Sequence, residues 1–148
     1  MKRKSYKNIM IATDGSENVK RAVSSGVEIA ELSGAKLYVV HVVPTVHSSS
    51  MPIGSRMPRW DEAYEILKDE GNKALEDVKE VAKEESIEVE GVLLEGHPGD
   101  ELIEFAENND IDMIVMGTLG RTGIERFLLG SVADNVVRHS NVEVLVVR

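Results

Sequence analysis

The residues with the clearest chemical potential lie between Gly117 and Ser131. Gly117, Gly120, Gly123 and Gly130 punctuate this stretch, Arg121 is the nearest cation, and Ser131 follows the last glycine directly. Glycines let main-chain amides approach an anion with no Cβ in the way, and a helix beginning at Ser131 adds unpaired N–H donors and a positive dipole end. The Ser131 hydroxyl can donate to the same anion, and Arg121 can pair with it. Asp14, which ends the first apolar run, supplies a carboxylate able to accept from hydroxyl groups. The same residues also serve plainer ends. Gly117 and Gly120 make a turn, Ser131 caps a helix, Asp14 makes an Asx turn with Gly15 and Ser16, and Arg121 is a solvated loop cation. Spacing by itself leaves both readings open.

These residues need elements to position them. Ile9 to Thr13 reads as a buried strand ending in the Asp14-Gly15-Ser16 turn, with Ser16 suited to a helix N-cap. Val19, Ala22, Val23, Gly26, Val27 and Ala30 then recur at helical spacing up to a stop at Gly34. Leu37 to Val43 is a second buried strand, and Pro44 to Pro58 a long loop by composition. Trp60 to Ala82 carries a second apolar stripe with Glu and Lys dense on its other side, a solvated face. Ile87 to Leu94 predicts a third strand, placed toward the sheet edge because Val89 and Gly91 weaken it. A turn from Gly96 to Asp100 leads to a short helix with Asp100 as its cap and Leu102, Ile103 and Ala106 inside. Ile111 to Met116 gives the fourth strand, Ser131 to Val137 the last helix, and Val142 to Val147 the fifth strand. Strands and helices alternate throughout. Right-handed crossovers then predict an α/β fold: a five-stranded, parallel, doubly wound sheet in three α/β/α layers, Rossmann-like. The glycine-rich segment leaves the carboxyl end of the fourth strand, where such sheets bind ligands.

Several chemistries are excluded. Gly-x-x-x-x-Gly-Lys-Ser/Thr is absent, which removes P-loop hydrolysis, and no Gly-x-Ser-x-Gly surrounds Ser16 to make a hydrolase elbow. His41, His47, His97 and His139 lack metal-ligand spacing and read as packed or surface residues. A phosphoacceptor receiver domain would need an aspartate after the third strand and a lysine after the fifth. The third strand instead ends Leu94-Glu95-Gly96, and only Arg148 follows the fifth. No cysteine is present, so disulfides, thiolate nucleophiles and cysteine-held clusters drop out.

A length of 148 residues with 42% apolar and 29% charged side chains fits one domain spanning 1–148. The basic start, Met1 to Lys7, precedes an apolar run too short for a signal peptide, and no stretch is apolar enough for a membrane span, so a cytoplasmic protein is expected. The net charge of −9 argues against a nucleic-acid surface. Against it, Gly117 to Ser140 carries Arg121, Arg126 and Arg138 against Glu125 and Asp134, a local excess of one positive charge.

Gly117, two residues, Gly120, nine residues and then Gly130-Ser131 match a G-2x-G-9x-G-(S/T) signature. On this motif the chain resembles the ATP-binding branch of the universal stress protein family. The likeness extends to Thr13-Asp14-Gly15-Ser16, His41-Val42, Gly96-His97-Pro98 and the closing Val142-Glu143-Val144-Leu145-Val146-Val147. The resemblance implies that Gly117, Gly120, Gly130 and Ser131 hold a triphosphate, with Arg121 and Val132 beside them. It further implies Asp14 next to the ribose, Ala12 and Thr13 next to the nucleoside, Val42 meeting adenine through its main chain, and Met116 lining the pocket. The implied ligand is ATP, with AMP or ADP as alternatives and Mg or Mn held by the phosphates. A homodimer through antiparallel pairing of strand 142–147 is also implied, since an apolar edge strand seeks a partner. The expected role is a nucleotide-dependent regulatory module in a stress response. The alternatives are a slow ATPase or phosphotransferase that uses Asp14 and Arg121, and a dimerising scaffold without nucleotide.

Overall fold

The structure, a computed structural model, describes residues 5–45, 59–119 and 129–148. The apolar runs become five strands: β1 Asn8–Ala12, β2 Lys36–Pro44, β3 Val89–Gly96, β4 Met113–Gly117 and β5 Glu143–Val147. Between them lie α1 Lys20–Ser33, α2 Arg59–Glu84, α3 Pro98–Asn108 and α4 Ser131–His139, with a 3-10 turn, Glu17–Val19, before α1. All strands are parallel, in the order β3-β2-β1-β4-β5. This is the doubly wound α/β sheet expected from the alternation. The glycine of β3 does sit on an edge strand, as its weak pattern predicts.

Alternating side chains divide between two cores. Ile9, Ile11, Leu37, Val39 and Val115 pack against α1 and α2, with Val27, Leu75 and Val78 opposite them. Met10, Val40, Val42, Ile114 and Met116 pack against α3 and α4, meeting Leu102, Ala106 and Val136. Strands covered on both faces need apolar residues on both faces, which is why β1, β2 and β4 read as unbroken runs. Among the described residues no helix is long and apolar enough to cross a membrane.

Most strand boundaries shift by one or two residues from expectation, and the starts of β3 and β4 and the cap of α3 do so for identifiable reasons. Ile87 and Ile111 do not begin strands, because their N–H groups donate back to the carbonyls of Ala82 and Ala106 at 3.1 Å and close the helices before them. The ladders start two residues later. The cap position of α3 falls to His97, with Pro98 in its first turn, so Asp100 lies inside the helix where its charge meets the positive dipole end. Gly34 ends α1 as predicted, at φ 68°, a left-handed conformation suited to glycine. The long loop after β2 falls mostly on residues 46–58, outside the described residues.

Candidate functional site

The chain runs from β1 to β2 to β3 on one side and then crosses to β4 and β5 on the other. β1 and β4 are therefore neighbours whose connections depart in opposite directions, and a crevice opens beyond their carboxyl ends. Its first lip is the turn after β1. Ser16 donates its main-chain N–H (2.9 Å) and its hydroxyl (2.6 Å) to Asp14 Oδ1. The Asx turn is thus present, and Ser16 turns its side chain to Asp14 rather than to a helix amide. Gly15 takes φ 76°, which the turn needs and which other residues adopt only with strain. Thr13 is buried, donates its N–H to Val40 O at 2.9 Å, and accepts from Gly15 N–H through Oγ1 at 3.2 Å.

β2 forms the back of the crevice. Val42 turns its side chain into the core under α3 and α4. His41 turns the other way, is only 6% exposed, and holds the Thr13 carbonyl from Nδ1 at 2.8 Å. Because a carbonyl only accepts, Nδ1 carries the proton. Leu67 of α2 reaches the same space. One turn before it, Tyr64 bonds the Glu95 carboxylate, which pushes the phenol up to about 12. Lys68 completes that group, 3.8 Å from Glu95 Oε1 and 5.0 Å from the centre of the Tyr64 ring.

The far lip joins β4 to α4. Thr118 N–H donates to Val147 O at 3.1 Å, and Gly130 N–H donates to Thr118 O at 2.7 Å. These two bonds pin both ends of the intervening loop to β5 and to each other. The second bond spends the Gly130 amide, one of those the glycine pattern offered to an anion, inside the protein. Among the described residues, the first-turn amides of α4, at Ser131, Val132 and Ala133, have no carbonyl one turn back within the helix. Among the described residues, a Cβ on Gly117 would meet main-chain oxygens no closer than 3.5 Å.

The crevice encloses about 370 Å³. Ala12, Thr13, Asp14, Val42, Met116, Gly117, Gly130, Ser131 and Val132 all line it. Of the remaining predicted residues, Gly120 and Arg121 lie outside the described residues. Sequence reasoning did not anticipate Leu67, Pro98, Leu102, Thr118 or His41 as lining residues. For His41 the only available signal was its place beside Val42. Among the described residues no three His, Asp or Glu side chains gather to hold a metal ion. The arrangement presents an apolar slot at the back, a carboxylate on one lip and a helix amino terminus on the other.

Known proteins share this architecture. The model of the universal stress protein family matches residues 5–148. A universal stress protein of Methanocaldococcus jannaschii is 41% identical over 143 residues, covering 97% of this chain and 82% of the relative. Among solved structures, a universal stress protein in complex with cAMP superposes with TM-score 0.71 at 29% identity, covering 98% of both chains. One from Archaeoglobus fulgidus in complex with dAMP gives 0.69 at 28% identity, covering 98% of this chain and 100% of the other. With nearly its whole length matched in sequence and in fold, this chain belongs to the universal stress protein family.

Proposed function

We propose that this chain is a nucleotide-dependent regulatory module that takes an adenine nucleotide into the crevice between β1 and β4. One observation carries the reading: a slot lined by Ala12, Val42 and Met116 leads to the amino terminus of α4. A flat base fits the slot, the Asp14 carboxylate accepts from ribose hydroxyls, and the amides of Ser131 and Val132 take phosphate oxygens. Gly117, Gly120, Gly130 and Arg121 belong to the same phosphate-binding set. The complexes of the two relatives with cAMP and dAMP support the adenine class.

ATP is the proposed ligand, with ADP and AMP as competitors. Mg or Mn is proposed to enter with the phosphates. The working unit is one domain, 1–148, acting in the cytoplasm in a stress response and pairing as a homodimer through residues 142–147. That pairing uses β5, the other edge strand of the sheet. Titration calorimetry with ATP, ADP and AMP tests the central statement: saturable binding with one site per chain is expected, and no heat with any of them refutes it. Hydrolysis well above background, abolished in Asp14→Asn while binding survives, would replace the regulatory reading with an enzymatic one. Sedimentation showing only a 16.3 kDa species at micromolar concentration would remove the dimer.

A further inference from the structure

We infer that Thr13 and His41 are positioning residues that make the base-recognition edge by ending the β1–β2 ladder one step early, an inference that rests on the nucleotide site proposed above. Main-chain groups of even-numbered β2 residues face β1. Lys36 N–H donates to Lys7 O at 2.8 Å, and Val40 O accepts from Thr13 N–H at 2.9 Å. Those of odd-numbered residues face β3, with Leu37 N–H donating to Glu88 O at 2.8 Å and Thr45 N–H to Gly96 O at 3.4 Å. One further step of the parallel ladder would join Val42 N–H to the Thr13 carbonyl, and Gly15 N–H to the Val42 carbonyl.

Both partners are diverted by side chains. The Thr13 carbonyl accepts from His41 Nδ1 at 2.8 Å, and Gly15 N–H donates to Thr13 Oγ1 at 3.2 Å. Among the described residues, neither the N–H nor the C=O of Val42 then has a main-chain partner on the β1 side, and Val42 lines the crevice. The diversion is held in place from behind. α2 presents Gly71 to the buried His41 ring, where a Cβ would lie 2.6 Å from Cδ2. A donor and an acceptor on one extended residue complement N1 and the 6-amino group of adenine. They oppose hypoxanthine, whose N1–H donates and whose O6 accepts. The structure thus assigns base selectivity to two side chains that need not touch the base.

The test compares ATP with inosine triphosphate by calorimetry and follows amide hydrogen exchange of Val42 in nucleotide-free protein. The unmodified chain is expected to prefer ATP by about tenfold or more, since both hydrogen bonds to the base are reversed in inosine triphosphate. In His41→Leu the freed Thr13 carbonyl takes Val42 N–H, so Val42 exchange slows about tenfold and the ATP preference falls to about one. His41→Asn, whose amide nitrogen can occupy the place of Nδ1, restores both readouts. A folded His41→Leu protein that keeps its ATP preference and its Val42 exchange rate overturns the inference. Should that variant not fold, Thr13→Val decides. Loss of Oγ1 releases Gly15 N–H to the Val42 carbonyl and is expected to cut the preference, and an unchanged preference overturns the inference. If the unmodified chain binds neither triphosphate, the nucleotide reading fails, and Val42 exchange in His41→Leu still decides the ladder claim separately.

Discussion

Gly71→Ala probes the contact between α2 and the crevice, and its sign is informative. Gly71 lies within α2, where helix propensity alone favours alanine by about 1 kcal/mol. The new methyl would stand 2.6 Å from His41 Cδ2, 3.1 Å from His41 Nε2 and 2.8 Å from Leu93 Cδ1. The Leu93 methyl is the end of a flexible side chain and can rotate aside. The His41 ring is tied to the Thr13 carbonyl at 2.8 Å and moves only by weakening that buried bond. Overpacking costs about 1–3 kcal/mol, and loss of the His41 bond adds about 1 kcal/mol although Val42 N–H then takes the Thr13 carbonyl, for a gross cost of about 2–4 kcal/mol. Subtracting the propensity gain of about 1 kcal/mol leaves a net destabilisation of about 1–3 kcal/mol. Urea unfolding followed by far-ultraviolet circular dichroism measures it. In a His41→Ala background the methyl enters the space the ring left, so the same change becomes stabilising by about 1 kcal/mol and the two sites couple by about 2 kcal/mol or more. Stabilisation by Gly71→Ala in the unmodified protein would refute the locked-ring reasoning.

The remaining predictions concern the two lips and the rim. Asp14→Asn keeps an oxygen for the Ser16 N–H and hydroxyl, so unfolding free energy should change by less than about 1 kcal/mol while calorimetry shows ATP binding weakened about tenfold or more; unchanged affinity would take Asp14 out of the site. Gly130 has φ −59° and ψ 157°, a conformation open to any residue, so Gly130→Val should fold normally and lose ATP about tenfold or more, and retained affinity would take that position out of the phosphate path. Tyr64 stays protonated to about pH 12 because its hydroxyl donates to the Glu95 carboxylate, a bond that ionisation would break and replace by two facing negative charges. Its folded value lies above the unfolded one, so the stability it contributes is complete below pH 10 and disappears as pH rises toward 12. Ultraviolet titration of the phenols should show this tyrosine ionising late, and Glu95→Gln should return it toward 10.

Much of the fold was legible because burial on both faces forces continuous apolar runs, and β1, β2 and β4 have them. The starts of β3 and β4 were not legible, since nothing in their composition reveals that the amides of Ile87 and Ile111 are claimed by the ends of preceding helices. At the site, Asp14, Gly117, Gly130 and Ser131 announced themselves by residue type and place. Val42 and Met116 did not. A valine or methionine in a buried strand reads as core, and only the family resemblance singled them out. His41 escaped because its contribution is one bond to a main-chain carbonyl across the sheet, which leaves no spacing pattern. Counting glycines also overstated the donors, since Gly130 spends its amide within the protein.

The most direct test is a titration of ATP into 15N-labelled protein, following the main-chain amides by nuclear magnetic resonance. The account predicts saturable shifts concentrated at two separated places, Val42 at the back of β2 and Ser131 to Ala133 at the start of α4, with little change in α1. Absence of saturable shifts, or shifts that leave both places untouched, would contradict it.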